Sequence, residues 1–260
     1  MRLKDKIAIV TGGGSGIGKA IAIAYANEGA IVVIADLHLA NAKAVVATIV
    51  AHGGRGLALQ TDVASEPAVI AMVKATLAAY GRIDILVNNA GVILQAKVVD
   101  TTEDQWDKIL RNNLKSCFLC SREVVRQMIA QGTGGKLVNI SSIHAQLSEP
   151  SAGAYTAAKG GMEAFSRTLA TEVAPHRINV NCIEPGATYT ELTVPMYTPA
   201  VKKALFERVP MREIAQPEWI ASGAVFLASD ESRYMTGQVI VMDGGYVMDG
   251  SLPGASYWTE

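Results

Sequence analysis

The sequence predicts an α/β fold built on one doubly wound, seven-stranded parallel sheet. Seven short β-branched runs alternate along the chain with longer segments of helical periodicity, and this alternation is typical of helices packed on both faces of a parallel sheet. Each run is almost continuously apolar, as expected of strands that helices cover on both sides. No linker-like stretch divides the 260 residues, so we expect a single Rossmann-type domain over residues 1–260.

Local sequence patterns predict where each strand and helix lies. Strands are expected in the runs KIAIVT, AIVVIAD, GLALQTD, DILVNNAG, GKLVNISS, INVNCIEPG and QVIVMDGG. Helices are expected in IGKAIAIAYANEG, ANAKAVVATIVAHGG, SEPAVIAMVKATLAAYG, TTEDQWDKILRNNLKSCFLCSREVVRQMIAQG, YTAAKGGMEAFSRTLATEVA and PEWIASGAVFLASD. Glycines that favour left-handed helix ends follow four of these segments, at Gly29, Gly53, Gly81 and Gly132. Thr102 and Gln105 form a capping box at the start of the longest one.

Two segments depart from the alternation. Residues 187–216 are rich in Pro, Thr and Met and have no clear period, which is typical either of a substrate lid or of a flexible surface loop; we expect a lid. The tail over residues 246–260 contains Tyr257 and Trp258. Because large aromatic residues favour packing, we expect this tail to dock, beside a neighbouring subunit's site.

Composition narrows the classes of partner and the cellular location. A net charge of −1 predicts no electrostatic attraction to nucleic acid or to an anionic membrane. No run approaches the roughly 18 apolar residues of a membrane span, and the N-terminal apolar run is too short for a signal peptide. Three cysteines are too few for a disulfide scaffold. These features predict a soluble, cytoplasmic protein.

Cys117 and Cys120 form a C-x-x-C pair, which raises the alternatives of a metal site or a redox site. A structural zinc ion needs four ligands and no second pair is present, while a redox pair belongs at an exposed helix start. This pair lies inside an apolar helical run. We therefore interpret both cysteines as small buried hydrophobic residues and predict no metal.

The stretch VTGGGSGIGKA, residues 10–20, admits two interpretations as a phosphate-binding loop. An ATP-binding loop needs a hydroxyl residue after its lysine to ligate magnesium, and Ala20 stands there. A dinucleotide-binding loop needs an acidic residue about 20 positions on, at the end of the second strand, and Asp36 stands there. A carboxylate at that position repels a 2′-phosphate, so the sequence favours NAD over NADP.

Tyr155 and Lys159 lie four residues apart at the start of a predicted helix, so their side chains share one face. A nearby ammonium stabilises a phenolate, and a tyrosine assisted in this way can take a proton from an alcohol or return it to a ketone. Ser141 and Ser142 end the fifth strand, where this fold binds ligands. A Tyr-x-x-x-Lys pair alone carries little weight, because such pairs are frequent on surface helices.

Taken together, the motifs resemble the short-chain dehydrogenase/reductase family in its NAD-using form. In chain order they are Thr11-Gly12-x-x-x-Gly16-Ile17-Gly18, Asn88-Asn89-Ala90-Gly91, Asn113, Ser142, Tyr155-x-x-x-Lys159 and Pro185-Gly186. The likeness extends to Asp243-Gly244-Gly245 and so covers nearly the whole chain. It implies one dinucleotide-binding and catalytic domain, an oxidoreductase of CH–OH groups, and a homotetramer whose main contact uses the Thr102 and Tyr155 helices.

The resemblance also implies a role for each catalytic residue. Tyr155 is the general base for oxidation, and Lys159 assists it and binds the nicotinamide ribose. Ser142, thirteen positions before the tyrosine, matches the serine that holds the substrate oxygen, in preference to Ser141. Asn113, rather than Asn112, matches the asparagine that positions a water in the proton relay.

The cofactor contacts implied by the resemblance lie mostly at the ends of the predicted strands. Gly12, Ser15, Gly16, Ile17 and Gly18 form the pyrophosphate site. Asp36 is expected at the adenosine ribose, with Asp62 and Val63 beside the adenine. Asn89, Ala90 and Gly91 are expected along the cofactor, while Asn88 braces the sheet. Pro185, Gly186, Thr188 and Thr190 are expected around the nicotinamide.

The substrate is less sharply specified. The NISSIH and PGATYT stretches resemble bacterial glucose 1-dehydrogenases of this family, which favours a sugar substrate, with His144, Gln95 and Glu149 as contacts. Glu184 is a further polar candidate or part of an internal contact.

Four alternatives to a neutral sugar remain open. A hydrophobic alcohol or ketone, of steroid, cyclic or 3-oxoacyl type, would use Leu192, Val194, Met196 and Met211. A sugar with an anionic group, such as a sulfonate or carboxylate, would need Lys97, Arg177 or Arg212 as counter-charge. A dinucleotide-binding sensor without catalysis and an ATP-binding module are the alternatives from other classes.

Overall fold

The computed structural model describes residues 1–249. Seven strands are formed, β1 Ile7–Thr11, β2 Ile31–Asp36, β3 Arg55–Gln60, β4 Ile85–Asn88, β5 Gly135–Ile140, β6 Ile178–Pro185 and β7 Val239–Met242. They form one parallel sheet in the order β3-β2-β1-β4-β5-β6-β7. The predicted α/β class, strand number and parallel arrangement are confirmed. Tyr257 and Trp258, on which the docking of the tail was predicted, lie outside the described residues.

The helices are α1 Gly16–Asn27, α2 Leu39–Ala51, α3 Glu66–Tyr80, α4 Glu103–Leu110, α5 Ser116–Gln131, α6 Gly153–Val173, α7 Pro199–Arg208 and α8 Pro217–Ala228. One apolar cluster joins α1, α2 and α8 to one face of the sheet. A second joins α3, α5 and α6 to the other face. Successive residues of β1 serve opposite clusters, Ala8 and Val10 on one side and Ile9 on the other. This double coverage explains the continuous apolar runs of the central strands.

The two edge strands differ from the central ones. All five residues of β1 and all six of β2 are buried, whereas β3 begins and ends with exposed residues and is half-buried between them. In β7, Val241 is exposed and its neighbours are half-buried. The expectation of coverage on both faces therefore holds for the interior of the sheet and not for its edges.

The predicted helix from Thr102 to Gly132 is interrupted. α4 passes into a π-helical turn over Arg111–Lys115 before α5 continues. Asn113 lies in this turn and is fully buried. Turns of this kind place one extra residue in the helix and occur frequently at functional sites. The capping box at the start of α4 is confirmed, since Thr102 and Gln105 exchange side-chain to backbone hydrogen bonds.

The segment over residues 187–216 is more ordered than its sequence predicts. It contains α7, which Thr198 caps by accepting the Val201 N–H. The helix was missed because it buries none of its residues and so shows no amphipathic period. Its two ends meet where Thr188 and Ala215 form a β-bridge, and the Met211 N–H also bonds the Gly244 carbonyl at 3.1 Å. The segment is therefore attached to the domain at more than one place.

The cysteines confirm the packing interpretation. Cys117, Cys120 and Cys182 are free and buried. Burial raises the pKa of the Cys117 thiol to about 12, and it raises the pKa of Cys120 as well. Thiols with such pKa values are not nucleophilic at neutral pH. Within residues 1–249, no helix is long and apolar enough to cross a membrane.

Candidate active site

A cleft of about 830 Å³ lies at the carboxyl ends of β1, β4, β5 and β6. The strand order reverses between β1 and β4, and ligands of doubly wound sheets bind in the crevice at such a reversal. The lining includes every catalytic and cofactor residue predicted from the sequence except Gly18, and it includes the predicted sugar contacts Gln95, His144 and Glu149 but not the further candidate Glu184. The volume suits a small-molecule site.

The glycine loop is fixed by the end of β4. Thr11 Oγ1 donates to the Val87 carbonyl at 3.1 Å and accepts the N–H groups of Asn89 and Ala90. Asn89 Nδ2 donates to the carbonyls of Thr11 and Gly12. The Asn89 amide therefore shapes the loop from behind, while the residue still lines the cleft. Asn88 braces the sheet as expected, by donating to Ser121 and Asn139.

Gly18 lies behind the loop, outside the lining of the cleft. A Cβ atom at this position would lie 2.3 Å from the Gly12 carbonyl oxygen and 2.4 Å from Asn89 Nδ2. The glycine therefore lets α1 approach the loop closely. In front, the Ser15 side chain makes no capping bond although Ser15 is the N-cap of α1. The Ser15 hydroxyl and the first N–H groups of α1 thus form a site suited to an anion.

Asp36 ends β2 and is 8% exposed. Its two oxygens accept the N–H groups of Gly14 and His38, each at 2.9 Å. The carboxylate therefore stabilises the glycine loop and also faces the cleft. Further along, Asp62 is exposed and Val63 is buried. Among the described residues that line the cleft, Lys159 is the one Lys or Arg.

Tyr155 and Lys159 extend from the first turns of α6 into the cleft. Lys159 is 4% exposed, and its Nζ donates to the Ile140 carbonyl at 2.7 Å. The same atom lies 5.5 Å from the centroid of the Tyr155 ring. The ammonium is thus fixed near the Tyr155 ring by the end of β5.

The two serines after β5 have different partners. The Ser141 hydroxyl donates to Glu163 Oε1 at 2.6 Å, on the buried side. Ser142 Oγ accepts the His144 N–H at 3.2 Å. Because that bond uses only an acceptor site, the Ser142 proton stays available for a bound oxygen. The geometry thus favours Ser142 over Ser141 as the serine that meets the substrate.

Asn113 makes all of its side-chain bonds with backbone groups. Its Nδ2 donates to the carbonyls of Val92 and Ile109, each at 2.9 Å, and its Oδ1 accepts the Val92 N–H at 3.2 Å. A Cβ atom at Gly91 would lie 2.4 Å from Asn113 Oδ1. The side chain therefore fixes the strand-end loop against the π-helical turn, and it has no amide proton left for a water.

The substrate candidates Gln95, His144 and Glu149 all line the cleft. His144 Nε2 lies 3.4 Å from Glu149 Oε2. Burial lowers the pKa of His144, and the Glu149 carboxylate opposes this effect. A histidine in this state is neutral at pH 7 and can donate or accept a hydrogen bond.

The 187–216 segment forms another part of the cleft lining, where a group of apolar side chains stands beside polar ones such as Thr190, Glu191 and Thr193. Leu192 and Met196 contribute to it, as expected for a hydrophobic substrate, together with Val201, Leu205 and Val209. Val194 and Met211, which were named with them from the sequence, are not part of this lining. Neither are the proposed counter-charges Lys97, Arg177 and Arg212. Nothing in the described cleft therefore matches the prediction of an anionic sugar.

Three residues near the site were missed by sequence analysis. Tyr197 donates its hydroxyl proton to the Thr188 carbonyl and accepts the Thr188 N–H. Glu191 Oε2 accepts the Gly16 N–H at 2.9 Å. Glu163 lies next to Glu184 and binds Ser141. Only Glu163 has a local signal, because it continues the Tyr155 and Lys159 spacing along α6.

Comparisons with known proteins agree with this geometry. A family model described as Enoyl-(Acyl carrier protein) reductase matches residues 12–247. The chain is 38% identical over 248 residues to the 3-oxoacyl-(acyl-carrier-protein) reductase FabG of Thermotoga maritima, with 95% of this chain and 100% of that protein covered. It is 39% identical over 246 residues to the NAD-dependent glycerol dehydrogenase of Listeria innocua, with 95% of each covered.

Among solved structures, a 7 alpha-hydroxysteroid dehydrogenase complexed with NADH and 7-oxo glycochenodeoxycholic acid has a TM-score of 0.92. Its identity is 33%, and the match covers 95% of this chain and 96% of that chain. The fold and the cleft thus define an oxidoreductase that acts on alcohol or ketone carbons with a nicotinamide dinucleotide. The chain belongs to the short-chain dehydrogenase/reductase family, as its motifs implied.

Proposed function

We propose that this enzyme oxidises a neutral sugar or polyol with NAD. The observation that carries the proposal is the polar part of the cleft lining: Gln95, His144 and Glu149 offer hydrogen-bonding groups, and no cationic side chain other than Lys159 lines the described cleft. Several neutral hydroxyl groups suit such a surface, because each can donate and accept a hydrogen bond. An anionic substrate would meet Glu149 without a counter-charge beyond the catalytic lysine.

The proposal of NAD rather than NADP rests on Asp36. Its carboxylate faces the cleft at the end of β2, where a dinucleotide of this fold presents its adenosine ribose. The two backbone N–H groups that bind it hold the charge in place. A 2′-phosphate would meet this charge, and none of the described lining residues near it is basic.

The glycine loop and the nearby strand ends fit the rest of the dinucleotide. Gly12 and Gly16 have positive φ angles, and the turn they form leaves the Ser15 hydroxyl free for a pyrophosphate, which would displace the Glu191 carboxylate from the Gly16 N–H at the start of α1. Ile17 belongs to the same turn, and Ala90 and Gly91 continue the surface past β4. Bound there, the cofactor supplies a hydride acceptor.

The same proposal assigns the chemical steps to four residues. Ser142 Oγ hydrogen-bonds the substrate hydroxyl and directs it toward Tyr155. The Tyr155 oxygen, assisted by the Lys159 ammonium, takes the hydroxyl proton while the carbinol hydrogen leaves as hydride. Asn113 acts by fixing the turn and the strand-end loop, since its side-chain bonds are all made with backbone groups.

A hydrophobic alcohol or ketone is the second candidate function. It is favoured by the apolar side chains of Leu192, Met196, Val201, Leu205 and Val209 in the lining, which a steroid or acyl chain could contact. The likeness to a hydroxysteroid dehydrogenase and to a 3-oxoacyl reductase supports the same candidate. The polar lining residues oppose it, since an apolar ligand over Gln95 and Glu149 would bury polar groups without offering them hydrogen bonds.

We also propose the predicted domain organisation, cellular location, lid and assembly. The enzyme forms one catalytic domain in the cytoplasm, and the 187–216 segment is its lid, because Thr190 and Glu191 contact Gly16 across the cleft. A homotetramer is supported by Trp106 on α4 and Phe118 on α5, which are 39% and 40% exposed. Such apolar side chains on the helices implicated by the family favour a subunit contact.

One experiment tests the substrate class. NAD reduction is followed at 340 nm with aldoses, polyols, sugar acids, steroids and long-chain alcohols at matched concentrations, and again with NADP. We expect oxidation of neutral sugars or polyols with NAD. Exclusive oxidation of steroids or long-chain alcohols would overturn the proposal in favour of the second candidate.

A control addresses the sensor alternative. Replacing Tyr155 by Phe removes the proposed base and leaves the cleft nearly unchanged, so turnover should fall at least 100-fold while NADH still binds. Undiminished turnover would refute the assigned base. A wild-type protein that binds NADH and oxidises no alcohol of any class would favour the sensor.

A further inference from the structure

Two buried glutamates lie side by side behind the active site. Glu184, near the end of β6, has no exposed surface, and Glu163 on α6 is 7% exposed. Glu184 Oε1 is buried and has no hydrogen-bond partner among the described residues. Burial, and next the neighbouring Glu163 carboxyl, raise the pKa of Glu184 to about 8. Two adjacent buried carboxyl groups cannot both be charged at low cost, so one of them retains a proton at neutral pH.

The pair is connected to three elements that carry the proposed site. Glu163 lies four residues after Lys159 on α6, and its Oε1 accepts the Ser141 hydroxyl proton at 2.6 Å. Glu184 directly precedes Pro185, and its Oε2 accepts the Gln146 amide at 2.6 Å. Gln146 belongs to the loop over residues 142–149, which we call the substrate loop because it carries Ser142, His144 and Glu149. The two carboxyl groups thus join α6, β6 and the substrate loop.

We propose that Glu163 and Glu184 share one proton and that this protonated pair is a positioning device that holds the substrate loop against α6 and β6. The shared proton gives Glu184 Oε1 the partner that it otherwise lacks. Removal of that proton places two negative charges beside each other and loosens the loop. The inference rests on the proposed function only through the role of Ser142 and His144 in holding the substrate.

The other charged and titratable groups around the pair come from several elements. Lys159 and Arg167 are on α6, with Lys159 committed to the Ile140 carbonyl. Cys182 on β6 interacts with Glu163. Asp243, after β7, raises the pKa of Glu184 further and is itself bound by the N–H groups of Gly245 and Val247. None of these groups makes an ion pair with Glu184 in the described structure. No fixed cation is therefore placed to compensate the negative charge if the shared proton is lost.

The test compares the variants Glu184→Gln, Glu184→Ala and Gln146→Ala. The control is Gln238→Ala, which also removes a glutamine side-chain amide, but one that bonds only the nearby Thr236 carbonyl, away from the substrate loop. Hydrogen exchange of residues 142–149, corrected for the intrinsic effect of pH, reports on the loop without any substrate. For the wild type we expect protection to fall on the order of tenfold between pH 7 and pH 10. Glu184→Gln keeps a group that can donate to Glu163 but cannot ionise, so its protection should not depend on pH in this range.

Glu184→Ala and Gln146→Ala should lose protection already at pH 7, and their KM for the alcohol should rise on the order of tenfold with little change in KM for NAD. If Glu184→Ala does not fold, Gln146→Ala gives the same comparison. Unchanged protection in Gln146→Ala, or a pH dependence in Glu184→Gln equal to that of the wild type, would overturn the inference. Failure of every sugar and polyol as substrate, with the exchange results as expected, would refute the proposed substrate and leave the positioning pair intact.

Discussion

Glu191 lies where the pyrophosphate of a dinucleotide is proposed to bind. Its Oε2 accepts the N–H of Gly16, the first residue of α1, at 2.9 Å. The N-terminus of a helix stabilises an anion, so this carboxylate from the proposed lid competes with a phosphate oxygen for the same donor. Replacing Glu191 by Gln should therefore strengthen the binding of NAD.

The size of the effect follows from two contributions. A carboxylate at an exposed helix N-terminus is stabilised by about 0.3–1 kcal/mol, which NAD must displace. Repulsion between a carboxylate and a phosphate at about 4 Å adds roughly 1 kcal/mol in a water-like dielectric. Together these give about 1.3–2 kcal/mol, so at 1.4 kcal/mol per factor of ten the Kd for NAD should fall roughly 8- to 30-fold.

Isothermal titration calorimetry gives the Kd directly. Adenosine, which has no phosphate, should bind the variant and the wild type equally. Glu172→Gln removes another exposed carboxylate, on α6 and outside the cleft, and should leave the Kd for NAD unchanged. The gain should shrink in 1 M salt, because screening removes most of the repulsion. A Kd that stays the same or rises in Glu191→Gln would refute the competition and assign Glu191 to cofactor binding.

Three further predictions concern packing, cofactor choice and pH. Gly18→Ala should lower Tm by roughly 2–10 °C, since its Cβ would clash with Gly12 and overpacking costs about 1–3 kcal/mol. The control Gly160→Ala should not lower Tm, because its Cβ would have only an ordinary 3.6 Å contact. Equal Tm losses in the two variants would contradict the packing argument. Asp36→Asn should lower the NAD to NADP ratio of kcat/KM at least tenfold, and an unchanged ratio would show that the carboxylate does not select the cofactor. The free energy of unfolding should fall with rising pH more steeply in the wild type than in Glu184→Gln, because folded wild-type protein keeps a proton on Glu184 that the unfolded state releases. Denaturant titrations from the usual pH range of carboxyl titration up to about pH 8 should show slopes that differ by up to about 1.4 kcal/mol per pH unit. Parallel curves would exclude the raised pKa of Glu184.

The sequence predicted most of the fold because its signals are local. A strand buried on both faces needs an apolar side chain at nearly every position, so β1 and β2 could be located without tertiary information. The capping box at Thr102 and the left-handed glycines Gly81 and Gly132 fixed helix ends through their immediate neighbours. Local signals failed where packing is weak, and α7 was missed because it buries none of its residues.

The candidate site divides in the same way. The sequence by itself determined the family, the nicotinamide chemistry and the pairing of Tyr155 with Lys159, because these depend on ordered motifs and on helical spacing. The resemblance already preferred Ser142 to Ser141, and only the tertiary structure gave the two serines their different partners, placed Glu191 at the glycine loop and brought Glu163 to Glu184. Those contacts join residues on different strands and helices, and their hydrogen bonds depend on how the sheet and its loops pack, which no local spacing specifies.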